Sequence, residues 1–529
     1  MHDPPGDVPI GPFLRLRGYD PSDGSWTGSV LCGIKGDLVP SLILRDPVPT
    51  EADPLSGDIT PPLEPLLLDR FEGWSFWRFD LRLPIAPTTS TRVDYRLDFP
   101  EQPWWSFHLA PRDELWHWAF YTCAGFDSWT SQEHQEGMWR GTQPLWRDLL
   151  AVHRHRPLHA LVSGGDTLYN DDVWNQPALV SWLQSGEREE RLAHPFTPDM
   201  RKEVDRYYFI HYCRHFAQEA TRRAYASIPS VNTWDDHDIF DGWGSYPADL
   251  QTCSVFEGIF QSARRFYLLF QLHTHEGRLA EDGFVAVEGG ANQLVMLGPL
   301  LALMLPDQRS CRSRWQVIDP RAHLELMLRA LHLAPSVKHV CFVATVPLVY
   351  PHITGSHGIL RLFDRAYRTQ FLHNLLRWTG AAAKIMSFLD EPDLLDDLRD
   401  QYNAPAHRDE RRYLIENLQM IAKVRRARVT LLSGDVHLAG SGRLYSWPEG
   451  SRKARLGRRK VDPVQDYRYM EQIISSAITN APPPDMAVRV QQWFGRAGFT
   501  NKRTRNKMVR LFKDHHSRKK LLNRQGTPC

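Results

Sequence analysis

The sequence predicts an α/β protein preceded by a β-rich segment, and three observations lead there. Apolar residues alternate at period two through the first ~110 residues, and after that apolar runs alternate with long helical patterns. Three of the later apolar runs stop abruptly at acidic residues.

Leu14 and Leu16 in FLRLR, Trp77, Phe79, Leu81 and Leu83 in WRFDLRL, and Val93, Tyr95, Leu97 and Phe99 in VDYRLDF alternate with polar neighbours. Successive strand residues point to opposite faces, so this is the pattern of half-buried strands. Between them DPVPTEADPLSGDITPPLEP holds six prolines in 20 residues. Proline cannot donate to a ladder or helix, so a surface loop is expected. Residues 1–112 therefore read as an N-terminal β-sandwich-like domain.

Residues 113–490 read as the catalytic α/β domain. TPDMRKEVDRYYFIHYCRHF opens with Thr197 as N-cap and Pro198 at the first helical position. HRDERRYLIENLQMIAKVRR places Tyr413, Leu414, Leu418 and Ile421 on one helix face. Residues 491–529 form a basic tail in which Asp514 is the single acid after Arg496. A solvated helix or disordered end is expected there, with an anionic partner, nucleic acid or acidic lipid, as the alternative.

The bulk numbers suit a globular chain: 529 residues, 42% apolar, and 64 basic against 62 acidic residues. So balanced a charge gives no field that would by itself recruit nucleic acid or membrane. Seven cysteines without a CxxC pair argue against a disulfide framework and for a reducing compartment. The N-terminus MHDPPGDVPIGP lacks a leader pattern, and the longest apolar stretch, Leu294 to Leu305, falls short of the ~20 residues that span a bilayer. A soluble cytoplasmic protein without a transmembrane segment is expected.

The chemistry lies where the apolar runs stop. LHALVSGGDTLYND presents Asp166 and Tyr169, SIPSVNTWDDHDIFDGWGSYP presents Asp235, Asp236, His237 and Asp238, and TLLSGDVHLAG presents Asp435 and His437. Each motif alone reads as a turn or a helix cap. Together, three acidic strand ends in one α/β domain can converge, since ligands of such folds sit beyond the carboxyl ends of strands. Converging carboxylates repel unless cations neutralise them, and Asp, His, Tyr and Cys suit a metal centre. Two bridged ions are the usual machine for hydrolysing phosphate esters.

FYTCAGFDSW, GGDTLYND, NTWDDHDIFDGWGSYP, PDQRSCR, LLSGDVH and IISSAITNAPPP, in that order between about residues 11 and 485, resemble the PhoD-like metallophosphatases. These are relatives of alkaline phosphatase D, and the likeness is strongest to the cytosolic fungal branch. The resemblance implies a calcineurin-like metallophosphoesterase core, a four-layer αββα sandwich of two mixed sheets. It also implies that Cys123, Asp166, Tyr169 and His437 hold one ion, ferric in alkaline phosphatase D. Bridging Asp166 with Asp236 and Asp435 would hold a second, calcium in that enzyme, with Mn2+, Zn2+ or Mg2+ as alternatives.

By the same resemblance His237 faces the leaving group as general acid or oxyanion stabiliser, and a bridging hydroxide attacks the phosphate of a small-molecule or lipid ester. The DxH motif of many metallophosphoesterases is absent, with Cys123 in its region, and Asp236 stands where the GNHE motif has asparagine. Arg309 and Arg312 are expected either to clamp phosphate or to act as ordinary capping arginines. His352 and His357 in YPHITGSHG could add ligands, but loop histidines of this kind read as non-catalytic. A rival expectation is a catalytically weak scaffold of the same fold, reaching partners through its basic tail.

Overall fold

The computed structural model describes residues 8–99, 101–126, 130–287, 289–350, 401–402, 404–447, 461–481, 498–509, 512–513, 519–520 and 522–524. Two large mixed sheets organise them. The eight-stranded sheet runs in the order Ala477–Thr479, Trp118–Ala124, Ala160–Ser163, Ser230–Val231, Ile10–Asp20, Ser25–Lys35, Trp74–Pro84, Leu66–Phe71. Neighbours are parallel as far as Ile10–Asp20 and antiparallel beyond it.

The second sheet runs Val285–Val287, Gly290–Leu297, Leu301–Leu305, His339–Val343, Arg428–Ser433, Met470–Ile474, Leu438–Ser446, Thr504–Met508, Gly498–Phe499. Its central strands from Leu301–Leu305 to Met470–Ile474 are parallel.

The strands expected in an N-terminal sandwich divide between two sheets. Ile10–Asp20, Ser25–Lys35, Leu66–Phe71 and Trp74–Pro84 extend the eight-stranded sheet, with Arg15 in parallel register with Ser230. Leu42–Leu44, Val48–Pro49, Thr91–Leu97 and Trp105–Leu109 form a separate four-stranded sheet. Ile10–Asp20 is not half-buried as its alternation suggested, because it lies mid-sheet with both faces covered. Leu14 and Leu16 pack with Val162 and Val231 toward Leu303, Val340 and Leu431 of the second sheet. Phe13, on the opposite face, packs with Leu161 against Tyr212 and Phe216 of the helix Pro198–Ala217.

That helix begins as expected, with the Thr197 hydroxyl accepting from Met200 N at 3.2 Å and Pro198 next. The helix Arg408–Arg425 buries Leu414, Leu418 and Ile421, but Tyr413 is 53% exposed. Its Cα lies about 100° around the helix from Leu414, which carries it off the buried face.

The described parts of the basic tail depart from expectation. Instead of a helix or loose end, Thr504–Met508 pairs antiparallel with Leu438–Ser446, and Leu522–Arg524 pairs with the start of the same strand. No helix among the described residues is long and apolar enough to cross a membrane.

Candidate metal centre

Each acidic motif sits at a strand end. Cys123 lies at the end of Trp118–Ala124, Asp166 follows Ala160–Ser163, Asp235 and Asp236 follow Ser230–Val231, and Asp435 and His437 follow Arg428–Ser433. Cys123, Asp166, Asp435 and His437 all have left-handed backbones, with φ of 56°, 53°, 68° and 51°. For non-glycine residues that costs about 1–2 kcal/mol each, so surrounding contacts must enforce it. Two of those contacts are Cys123 N to Gly165 O at 3.2 Å and Ala124 N to Asp166 O at 2.8 Å.

Two glycines allow the strand ends to meet. Gly165, at φ 106°, would place a Cβ 2.7 Å from that of Asp235, and at Gly434 a Cβ would lie 2.4 Å from that of Thr122. Gly434 is thus needed for the close approach of the two sheets, and its φ is not positive. Buried Asp238 locks the arrangement, accepting from Thr167 N at 3.3 Å, Leu168 N at 3.1 Å, Asp235 N at 3.0 Å and Gln271 Nε2 at 2.9 Å.

The structure brings together all four residues expected at the first ion. Cys123 Sγ and the Tyr169 hydroxyl each lie 3.5 Å from Asp166 Oδ2, and Tyr169 lies 3.0 Å from His437 Nε2. His437 Nδ1 is 3.1 Å from Ala481 O, so a proton donated there makes Nε2, the nitrogen facing Tyr169, an acceptor. Asp166, Asp235, Asp236 and Asp435 form an adjoining group with ligand atoms within 4.8 Å of one another, and Asp166, Asp236 and His237 form another. Asp235 is the member that sequence reasoning left out of the ligand set.

The electrostatics call for positive charge. Burial, reinforced by Asp235, pushes the Asp166 carboxyl well above the carboxylate range. Burial also raises the Cys123 thiol and the Tyr169 phenol, both made worse by Asp166. Asp166 Oδ1 is buried without a hydrogen-bond partner, and Asp236 Oδ1, likewise without a hydrogen bond, has the Arg309 guanidinium 3.3 Å away. Buried acceptors without donors are costly unless a cation takes the lone pairs, so the donor set fits metal ions.

His237 is held by a residue that sequence reasoning missed. Its Nδ1 lies 2.9 Å and 3.1 Å from the two oxygens of Asp171, and its ring stacks on Tyr169 with centroids 4.2 Å apart. Burial opposes its charged form, but Asp171, Asp241 and Asp236 outweigh that and hold His237 well above its ordinary value. Asp171 follows GGDTLYN directly, and an acid at that offset was the available signal.

Arg309 is fully buried, ion-paired to Asp235, 3.3 Å from Asp236 Oδ1 and donating to Trp243 O at 2.9 Å. Arg312 is buried against Gly244; burial raises the nearby Glu410 carboxyl, and the Ile318 and Val317 amides and then Arg312 offset only part of that. His352 and His357 lie outside the described residues. A cavity of about 730 Å3 opens beside the cluster, with Tyr169, Asp171, Asp172, Arg214 and Gln176 in its wall.

A mixed α/β protein that gathers carboxylates, imidazole, phenol and thiol from the strand ends of two sheets defines a recognisable class, the α/β proteins built around a strand-end ligand cluster. The chain belongs to the PhoD related phosphatase family, whose model matches residues 103–376 and 372–502. It is similar to the uncharacterised protein YGR266W of Saccharomyces cerevisiae, 27% identical over 541 residues, covering 92% of this chain and 75% of that one. It also aligns with a solved structure of PhoD at 11% identity and a TM-score of 0.48, over 89% of this chain and 77% of the other.

Proposed function

We propose that the chain hydrolyses phosphoric esters at a dinuclear metal centre. The observation that carries this reading is the contact of Cys123, Tyr169 and His437 around Asp166, beside a carboxylate group in which Asp166 keeps an orphaned oxygen. Thiolate, phenolate and imidazole donors match Fe3+, and the carboxylates of Asp166, Asp236 and Asp435 match a harder ion such as Ca2+. When bound, such ions supply Lewis acidity toward phosphoryl oxygens and acidify a coordinated water.

The protein's own groups do the rest. Arg309, buried behind Asp235 and Asp236, offsets part of their charge and fixes them, an anchoring role rather than a clamp on substrate. Asp171 orients His237 through Nδ1, leaving Nε2 to hand a proton to the departing alkoxide. The 730 Å3 cavity shares Tyr169 and Asp171 with the centre and would take the organic part of the ester. The same reading arranges the chain as a four-layer αββα sandwich, supported by cores that join sheet to sheet and sheet to helices.

The test is metal removal from purified protein, followed by assay of phosphate mono- and diesters with Fe, Ca, Mn or Zn added back. Hydrolysis that disappears and is restored is expected. Failure of every metal to restore hydrolysis of either ester class would reject the reading.

A further inference from the structure

Away from the metal centre, a cavity of about 420 Å3 lies between the eight-stranded sheet and Gly290–Leu297. Arg15 and Arg17 of Ile10–Asp20 and Arg82 of Trp74–Pro84 line it from either side of Thr27, with Gln293 and Phe284 opposite. Arg15 is the unusual member. It is 4% exposed, its Nη2 donates to neutral Gln293 Oε1 at 2.8 Å, and its Nε has no partner.

The carboxylates of the wall, Asp80 and Asp282, are engaged elsewhere. Arg17 lies 3.0 Å from Asp80 and 3.6 Å from Asp282, and Arg78 lies 3.0 Å and 2.7 Å from the same two acids. Arg278 adds a contact to Asp282 at 3.6 Å, while Arg82 is paired with Asp20 and Asp23. Arg15 thus has no ion pair among the described residues, its guanidinium lies 5.1 Å over the Phe284 ring, and four guanidiniums, those of Arg15, Arg17, Arg78 and Arg278, surround two carboxylates. Burial and then Arg17 lower Arg15 to about 9, which still leaves it charged at neutral pH.

A buried, unpaired guanidinium is costly, and an anion in the adjacent cavity removes the cost. Guanidiniums on two flanking strands suit a tetrahedral oxyanion, with acceptors in several directions, better than a planar carboxylate. We propose that this cavity is a second anion site that binds a phosphate group, free or as a small monoester, on Arg15. Gln293 ties it to the chain leading into the metal centre, donating to Asn232 O at 2.7 Å. The proposal concerns binding alone and stands whether or not the metal centre hydrolyses esters.

Hydrogen–deuterium exchange on full-length, metal-loaded protein tests it, with inorganic phosphate or glycerol 3-phosphate at on the order of 10 mM and ionic strength matched with sodium chloride. Amides of residues 280–284 should exchange about threefold more slowly with either anion and not with chloride. Arg15→Gln should abolish the protection. Arg82→Gln, at a side chain 51% exposed, should raise the concentration required and serves if the first variant does not fold. Protection by phosphate identifies the free anion as sufficient, and protection by the ester alone identifies the monoester as the ligand. No protection by either, equal protection by chloride, or protection undiminished in both variants would overturn the proposal.

Discussion

Asp171→Asn isolates the orientation of His237 without touching a proposed ligand. Asp171 offers His237 Nδ1 oxygens at 2.9 Å and 3.1 Å and also accepts from Asp241 N at 2.8 Å. Asparagine can keep one acceptor for Nδ1 but loses the charge. A hydrogen bond to a charged group contributes about 1.5–3 kcal/mol and a neutral one about 0.5–1.5, so the loss is about 1–1.5 kcal/mol. That corresponds to a roughly 5- to 15-fold fall in rate when His237 delivers the proton. An alkyl phosphate, with a poor leaving alkoxide, should show the whole loss. An aryl phosphate, whose phenolate leaves without help, should show about twofold or less. Steady-state kcat on both esters and elemental analysis of the purified variant make the assay, with metal content unchanged. Equal losses on the two esters, or the loss of one metal per chain, would show that the Asp171–His237 pair holds an ion or the phosphate rather than the proton.

Two further outcomes follow from the geometry. Protein loaded with iron should be coloured by charge transfer from Tyr169 or Cys123, and Tyr169→Phe should shift or bleach the band; colourless active protein would assign the centre to Zn or Mn instead. A separate buried histidine group should make the fold acid-labile: burial lowers His108 and His153 to about 4 and His159 to about 3. A folded value below the unfolded 6.5 means that the stabilisation is complete above pH ~6.5 and is lost as pH falls toward ~4; one such residue contributes about 3 kcal/mol. Urea unfolding at pH 7 and pH 5 measures this, and a midpoint that does not fall at pH 5 would contradict it.

The gathering of strand-end side chains was legible because a strand that ends by displaying an acid writes a local signature, an apolar run broken by glycine and aspartate. Asp166, Asp435 and His437 show it, and their left-handed backbones are the physical form of the break. What was not legible is the assignment of roles inside DDHD. Asp235 takes Arg309, Asp236 takes Gly242 N and stands 3.3 Å from the same Arg309, His237 takes Asp171 and Asp238 takes four N–H donors. Those choices depend on how a short 3-10 turn is rotated against three other segments, which residue spacing does not encode. The N-terminal strands were found at their expected places, yet their partners were not. Parallel pairing between residues 15 and 230 leaves no mark in either local pattern.

That pairing bears on how the chain can be made and cut. During synthesis, Ile10–Asp20 emerges more than 200 residues before its neighbour Ser230–Val231, so one of its edges stays open through much of translation. The sheet is finished later still, when Ala477–Thr479 closes against Trp118–Ala124. Contacts so distant along the chain make folding slow, and the waiting edge is an opening for mispairing or chaperone capture. A truncation that begins at residue 113 would remove half of the eight-stranded sheet, including the strand that flanks Ser230–Val231, the segment leading directly into Asp235 and Asp236.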